Sequence, residues 1–258
     1  MRLMKRILSA AAVLALSASL LVGCSSGTAS SVPVSASSAA ESTVSSVEET
    51  ASSAVDENEA AAAQLLNDLT GSYQELWPVI LADEYKQTWL DVCTALVGED
   101  NAEAAFEKLS SMVTGDVYGE DAVEAYANGG GAYFCGFTND LATLTFDGET
   151  STISGTDKDG NVLFSHTYHY IGMEPVRGLY EFQSDDADSG EFTYFFLAPD
   201  TSAETYHIEF RYGSDAEALS QYDTGEYAYW LASGISTDCD QTMIDNCIEL
   251  FCTENLAG

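Results

Sequence analysis

The sequence predicts an α+β fold in which helices flank a β-rich middle. Apolar residues recur at helical spacing over 61–69 and 102–113, and the period changes to two after Gly129-Gly130-Gly131. Short runs rich in aromatic and β-branched residues then follow one another at close spacing up to residue 213. Helical spacing returns over 237–252, and no internal repeat is evident. The middle is therefore expected to form an antiparallel barrel or sandwich with helices at both ends.

The predicted elements follow from local patterns of period, turn residues and caps. The predicted helices are 61–69, 72–97 as one or two pieces broken or entered at Pro78, 102–113, 214–221 and 237–252. The predicted strands are 132–137, 141–146, 150–154, 162–170, 178–182 and the two strands of a hairpin within 191–213, followed by a brief extended piece over 227–231. Ala198-Pro199-Asp200 opens the turn of that hairpin.

Residues 1–23 have the pattern of an export signal that ends in a lipidation motif. Three basic residues occur before residue 7, an apolar run too short for a safe assignment as a spanning helix continues to Leu21, and Leu21-Val22-Gly23-Cys24 follows. This end resembles the lipobox of bacterial lipoproteins, which implies cleavage before Cys24 and a lipid on Cys24. A plain secretory signal is the alternative. We therefore expect an extracytoplasmic protein that is lipid-anchored to the cell membrane.

Residues 24–60 differ in composition from the rest of the chain. They are rich in Ser, Ala, Val, Thr and Glu and contain no aromatic residue that could start a core. Such a composition is typical of a disordered tether. The expected organisation is therefore a lipoprotein signal peptide over 1–23, a tether over 24–60 and one barrel domain over 61–258.

The charge of the chain limits its partners. Removal of residues 1–23 leaves five Lys and Arg residues against 42 Asp and Glu residues, a formal charge of −37. Such a field opposes nucleic acid and anionic headgroups and favours small divalent cations. An acidic surface that keeps an exported protein soluble explains the same charge, and cation attraction is then a side effect.

Five cysteines follow Cys24, an odd number for an exported protein, so at least one thiol is unpaired or pairs with another molecule. Their spacing is not the paired C-x-x-C of a structural zinc site. We expect these cysteines to lie in the core. Their spacing does not decide whether two of them form a disulfide. The five are Cys93, Cys135, Cys239, Cys247 and Cys252.

No conventional enzyme motif occurs, since G-x-S-x-G and H-E-x-x-H are absent and Gly129-Gly130-Gly131 lacks the context of a phosphate loop. The chain is therefore expected not to be an enzyme. The informative residues are the three histidines. His166 and His169 are three apart on a predicted strand and should face opposite ways. His207 shares a strand face with Glu209 and Arg211, a pattern that fits either a ligand position or an ordinary solvated face.

Four segments resemble the ZinT (YodA) family of exported zinc-binding proteins, which also occurs as a domain of Gram-positive zinc-uptake lipoproteins. The segments are GSYQELWPVI, PVRGLYEF, the hairpin FFLAP…TYHIEFRYGSD, and YWLASGIS before the final helix. The resemblance implies a calycin-like, lipocalin-related antiparallel β-barrel with flanking N-terminal and C-terminal helices. It also implies a zinc site at the barrel mouth and a part in metal capture or delivery to an uptake system.

The chain departs from that family at the metal ligands. The family holds zinc with three histidines, and the matching positions here are Phe195, Thr205 and His207. The resemblance therefore implies a weak, degenerate site built from His207, Glu209 and His169 with waters, since zinc prefers four N, S or O ligands. The alternative is a barrel that binds no metal and serves as a ligand-binding or surface-interaction module, using an aromatic interior.

Overall fold

Eight antiparallel strands form a closed barrel in which each strand pairs with the next along the chain and β1 pairs with β8. The structure is a computed structural model that describes residues 57–199 and 207–256. The predicted barrel is confirmed. The strands are β1 Gly71–Glu75, β2 Thr143–Asp147, β3 Thr152–Thr156, β4 Val162–Met173, β5 Tyr180–Ser184, β6 Tyr194–Leu197, β7 His207–Gly213 and β8 Ala232–Ser236.

Helices precede, interrupt and follow the barrel. Residues 57–68 are helical (α1), so this helix includes residues 57–60, which the composition assigned to the tether. Within the described ranges no helix is long and apolar enough to cross a membrane. The other helices are α2 Leu76–Ile80, α3 Lys86–Val97, α4 Glu99–Val113, α5 Glu120–Ala127, α6 Ala216–Leu219 and α7 Gln241–Leu256, with short 3₁₀ turns at Asp83–Tyr85 and Gly190–Phe192.

The barrel interior is filled by alternate residues of each strand. On β7, Ile208, Phe210 and Tyr212 are at most 1% exposed and belong to the barrel core. Their spacing of two places them on one face of the strand. Aromatic side chains from β4, β5 and β6 meet them there, so the centre of this barrel is a packed core.

A second core lies between the helices and the outer face of β8. Ile235 of β8 is fully buried in this cluster with residues of α2, α3, α4 and α7. Trp89 of α3 is also fully buried, and its indole Nε1 donates a 2.7 Å hydrogen bond to the carbonyl oxygen of Ile80. The predicted closing helix is therefore confirmed as α7, and its apolar side covers the barrel wall.

Three predicted elements were wrong. Residues 227–231 were expected to be extended, but they form a turn and an isolated bridge at Trp230, and strand β8 begins only at Ala232. Residues 72–75 were expected at the start of a helix, but they belong to strand β1, because pairing with β2 and β8 closes the barrel and inserts Tyr73 against Phe146. Tertiary pairing overrides the local apolar pattern here. Residues 132–137 were expected as a strand, yet only Phe134 forms isolated bridges, to Thr114 and Trp230. Helix α5 was not predicted.

Candidate functional site

His207, the histidine that matches a family ligand, projects to the outside of the barrel wall. It pairs with Ile235 of β8, and cross-strand partners share one face of a sheet. Ile235 packs into the helical core and not into the barrel interior. His207 is half-buried at the start of β7, next to residues outside the described ranges.

Glu209 lies on the same outer face as His207, about 7 Å further along the strand. It pairs with Ser233 of β8, which is buried. Burial raises the pKa of the nearby Cys135 thiol to about 12, and the negative charge of Glu209 adds to that rise. His207 and Glu209 pair with Ile235 and Ser233, which both point outward from β8. The prediction that His207 and Glu209 share a face is therefore confirmed.

Arg211 continues this outer face, but it is not solvated. Its side chain is fully buried, and its guanidinium donates hydrogen bonds to the carbonyl oxygens of Leu219, Gln221 and Tyr227. The guanidinium carbon lies 4.4 Å from the ring centre of Tyr222. The solvated-face interpretation fails at Arg211, because the segment after α6 folds back over this end of β7.

Phe195, at the first family ligand position, fills the barrel interior. It is fully buried on β6, and its ring centre lies 5.4 Å from those of both Tyr168 and Tyr212. The alternation of side chains on adjacent strands places Phe195 and His207 on opposite faces of the wall. Even a histidine at position 195 would therefore not face the same metal as His207.

His169, the third predicted ligand, lies on the outer face of β4. Its Nδ1 is 2.6 Å from Oδ1 of Asp185, and both side chains are about half exposed. Strands β5 and β6 separate β4 from β7, a distance of about 14 Å around the wall. The structure therefore does not bring His169 to His207 and Glu209.

His166 faces the other way from His169, as predicted from their spacing. Its side chain is 15% exposed, compared with 53% for His169. Its ring stacks on Phe164 at 6.0 Å, and its Nδ1 lies 2.8 Å from Oδ2 of Asp186. This geometry agrees with a packed, hydrogen-bonded histidine.

The aspartates at 185 and 186 were not singled out from the sequence. They follow β5, whose residue Ser184 pairs with Tyr168 of β4, so adjacent carboxylates reach the two histidines on either side of the wall. The sequence does contain a signal for them. The two aspartates closely follow a predicted strand, and this strand pairs with the strand that carries His166 and His169. The amide of Asp185 also donates to the carbonyl oxygen of Thr167 at 2.9 Å, which fixes the pair in place.

The described ranges contain no group of three or more His, Cys, Asp or Glu side chains placed to hold a metal ion. The residue set His207, Glu209 and His169 therefore separates into two pairs, the half-buried His207 and Glu209 on β7, and the half-exposed His169 with Asp185. Neither pair supplies the four donors that a tight zinc site uses.

Comparison with known proteins gives a match at the level of structure only. No family model and no curated protein sequence matches the chain. The zinc-bound ZinT-like domain of AdcA from Streptococcus pneumoniae is similar, with a TM-score of 0.45 and 16% identity over 71% of this chain and 89% of that domain. Zinc-bound AdcA from the same organism has a TM-score of 0.42 and 15% identity over 72% of this chain and 35% of that longer chain.

Proposed function

We propose that the chain is a lipid-anchored, extracytoplasmic ZinT-like protein that binds divalent cations such as zinc weakly, and that it lacks the tight three-histidine site of that family. The observation that carries this proposal is the position of Phe195. The sequence resemblance matches this residue to the first ligand, and its ring packs 5.4 Å from that of Tyr212 inside the barrel. A weak site suits a protein that captures cations and passes them to an uptake system, because the cation must be released.

Two separate pairs of side chains supply the donors for weak binding. His169 presents its Nδ1 to a carboxylate, Asp185, at 2.6 Å. A carboxylate in that position orients an imidazole and raises its basicity towards a metal at the other ring nitrogen. His207 and Glu209 supply a second imidazole and carboxylate on one strand face, and waters would complete either site.

The overall charge supports cation capture. The mature chain has a formal charge of −37, and the one Lys or Arg ion pair within 4 Å in the described ranges joins Lys86 to Glu103 at 3.6 Å on the surface. The remaining negative field raises the local concentration of divalent cations. Scattered carboxylates give a diffuse, salt-sensitive attraction, so a specific site must be measured at moderate ionic strength.

A zinc titration followed by thermal unfolding tests this function. Zinc that binds the native state raises Tm with the logarithm of its concentration over Kd. We expect a small, saturable rise that is reduced in His207→Ala and in His169→Ala. His166→Ala is the matched control and should keep the rise. The absence of any saturable shift in the parent protein contradicts metal binding. A full shift in the variant that carries both His207→Ala and His169→Ala contradicts binding at these residues.

The anchoring part of the proposal is tested by cell fractionation. We expect the lipid on Cys24, because Leu21-Val22-Gly23-Cys24 resembles a lipobox. Cys24→Ala should move the protein out of the membrane fraction, and mass spectrometry of the parent N-terminus should find a lipid. A parent protein that is wholly soluble in its native host contradicts the anchor.

An exposed apolar patch supports a second candidate function, a surface-interaction module. Ile171 and Met173 of β4 are 41% and 43% exposed, and Val176 in the following loop is 65% exposed. The packed interior disfavours a ligand inside the barrel, so an interaction would use the outer wall. Replacement of the three side chains by Ser should leave Tm nearly unchanged and weaken the binding of a partner protein. Zinc binding should not change.

A further inference from the structure

Helices α3 and α7 bring two buried thiols together. The sulfur atoms of Cys93 and Cys252 lie 4.0 Å apart, although the residues are 159 positions apart in the chain. Both side chains are fully buried in the helical core. The two cysteines therefore meet across the contact between an N-terminal and a C-terminal helix.

Aromatic packing holds these two helices in register. Trp89 is one turn before Cys93 on α3, and its ring centre lies 6.1 Å from that of Phe251, the neighbour of Cys252 on α7. Phe251 also contacts the Trp77 ring of α2 at 4.7 Å. The sulfur atoms are consequently held near each other by large rings on both helices.

We propose that Cys93 and Cys252 are a disulfide-forming pair that covalently joins α3 to α7. A disulfide needs sulfurs about 2.05 Å apart, so closure requires an approach of about 2 Å, which changes in the side-chain torsions can supply. The oxidant is a disulfide, either of an oxidoreductase or of oxidised glutathione. Two thiols lose two protons and two electrons, one S–S bond forms in the chain, and the oxidant's S–S bond becomes two thiols.

Burial determines when this exchange occurs. Burial raises the pKa of the thiols of Cys93 and Cys252, and thiolate is the form that attacks a disulfide. Exchange on the folded protein is therefore slow, and the bond forms while the helices are still assembling. Oxidation in the cell rests on the export that is part of the proposed function, because disulfides persist in oxidising compartments.

Refolding of the full chain in a glutathione redox buffer tests the pair. We expect the product to have a mass about 2 Da below that of the reduced chain before alkylation, for one new disulfide. After denaturation and alkylation it should carry two alkyl groups fewer than the reduced chain, and its peptide map should join Cys93 to Cys252. The oxidised protein should melt at least about 5 °C above the reduced one, because the bond restricts a long loop in the unfolded chain.

Single variants separate this pair from the other cysteines. Cys93→Ala and Cys252→Ala should each abolish the link. Cys247 is also buried and lies on the same helix as Cys252, so Cys247→Ala should keep the link. If a variant does not fold, the peptide map of the parent chain decides alone. A parent chain that keeps both thiols reduced, or that links Cys239 to Cys247 instead, overturns the proposal. Zinc binding is measured separately on reduced protein, so failure of either proposal can be told from failure of the other.

Discussion

Phe195 and His207 lie on opposite sides of the barrel wall. Phe195 is fully buried among the interior rings, and His207 is opposite Ile235, whose side chain belongs to the helical core outside the barrel. Two positions that the sequence motifs match to zinc ligands therefore cannot point to one metal in this chain. Orientation as well as residue type therefore argues against one metal shared by these two positions.

Phe195→His should not restore zinc binding. The imidazole would enter an aromatic core and lose its hydrogen bonds to water. Together with the lost ring contacts, this should lower the free energy of unfolding by about 3 kcal/mol. Phe195→Leu, which stays apolar, is the control and should cost about 1–2 kcal/mol. Denaturant unfolding and a zinc titration measure both effects. A tighter zinc affinity in Phe195→His contradicts the assigned faces.

Arg211→Met should destabilise the fold by about 3 kcal/mol, because it leaves buried carbonyl oxygens without donors. Arg211→Lys should recover little of this loss, since a lysine lacks the planar fork that reaches several carbonyls. Arg177→Met is the control. Arg177 stacks on Tyr222 at 4.3 Å but is only half-buried, so its loss should cost about 1 kcal/mol. Equal losses in Arg211→Met and Arg177→Met argue against a structural role for the buried guanidinium.

Stability should fall as pH rises from about 10 to 12. Burial raises the pKa of Tyr227 to about 12, and the charge of Glu191 adds to the rise. Burial likewise raises the pKa of Tyr126 to about 12. Unfolded tyrosines ionise near pH 10, so the folded state holds more protons in this window and loses stability as pH increases.

Equilibrium unfolding at a series of pH values, with phenolate absorbance followed in parallel, measures this effect. Tyr227→Phe should reduce the slope in the alkaline window. Added salt serves as a control for the general repulsion of an acidic chain. A free energy of unfolding that stays constant up to pH 12 is incompatible with the raised pKa values.

Gly148→Ala should cost about 2 kcal/mol, since overpacking against a rigid backbone is destabilising. A methyl group there would lie 2.4 Å from Cα of Asn67, in the helix that precedes β1. The matched control is Gly172→Ala on β4, where the nearest atom, Oε2 of Glu181, is 3.9 Å away. Thermal unfolding compares the two variants. Similar Tm values would show that α1 does not pack tightly on the turn between β2 and β3.

The barrel could be predicted because its strands carry their own signal. Ile208, Phe210 and Tyr212 alternate with polar residues, and the turn at Ala198-Pro199 marks a hairpin, so the sequence is sufficient for that part. Strand β1 could not be found in this way. Its pairing with β8 joins residues about 160 positions apart, and the apolar residues from Leu76 onward continue the pattern of a helix.

The candidate site was predicted less well for a related reason. Alternation correctly placed His207 and Glu209 on one face, but it does not show what covers that face. The alternation predicts that Arg211 is solvated, yet residues 219–227 fold over it and accept its hydrogen bonds. Likewise, the partner of His169 is Asp185, which only the β4–β5 register brings near. Such pairings depend on tertiary structure and leave little trace in a single sequence.

Competition for zinc tests the central claim most directly. The full chain is mixed with one equivalent of zinc and a chromogenic chelator of known, tight affinity, and the zinc that stays with the protein is measured after equilibration. We predict that the chelator takes the zinc and that the parent chain and His207→Ala behave alike. Retention of one zinc per parent chain against the chelator, lost in His207→Ala, would contradict the absence of a tight site.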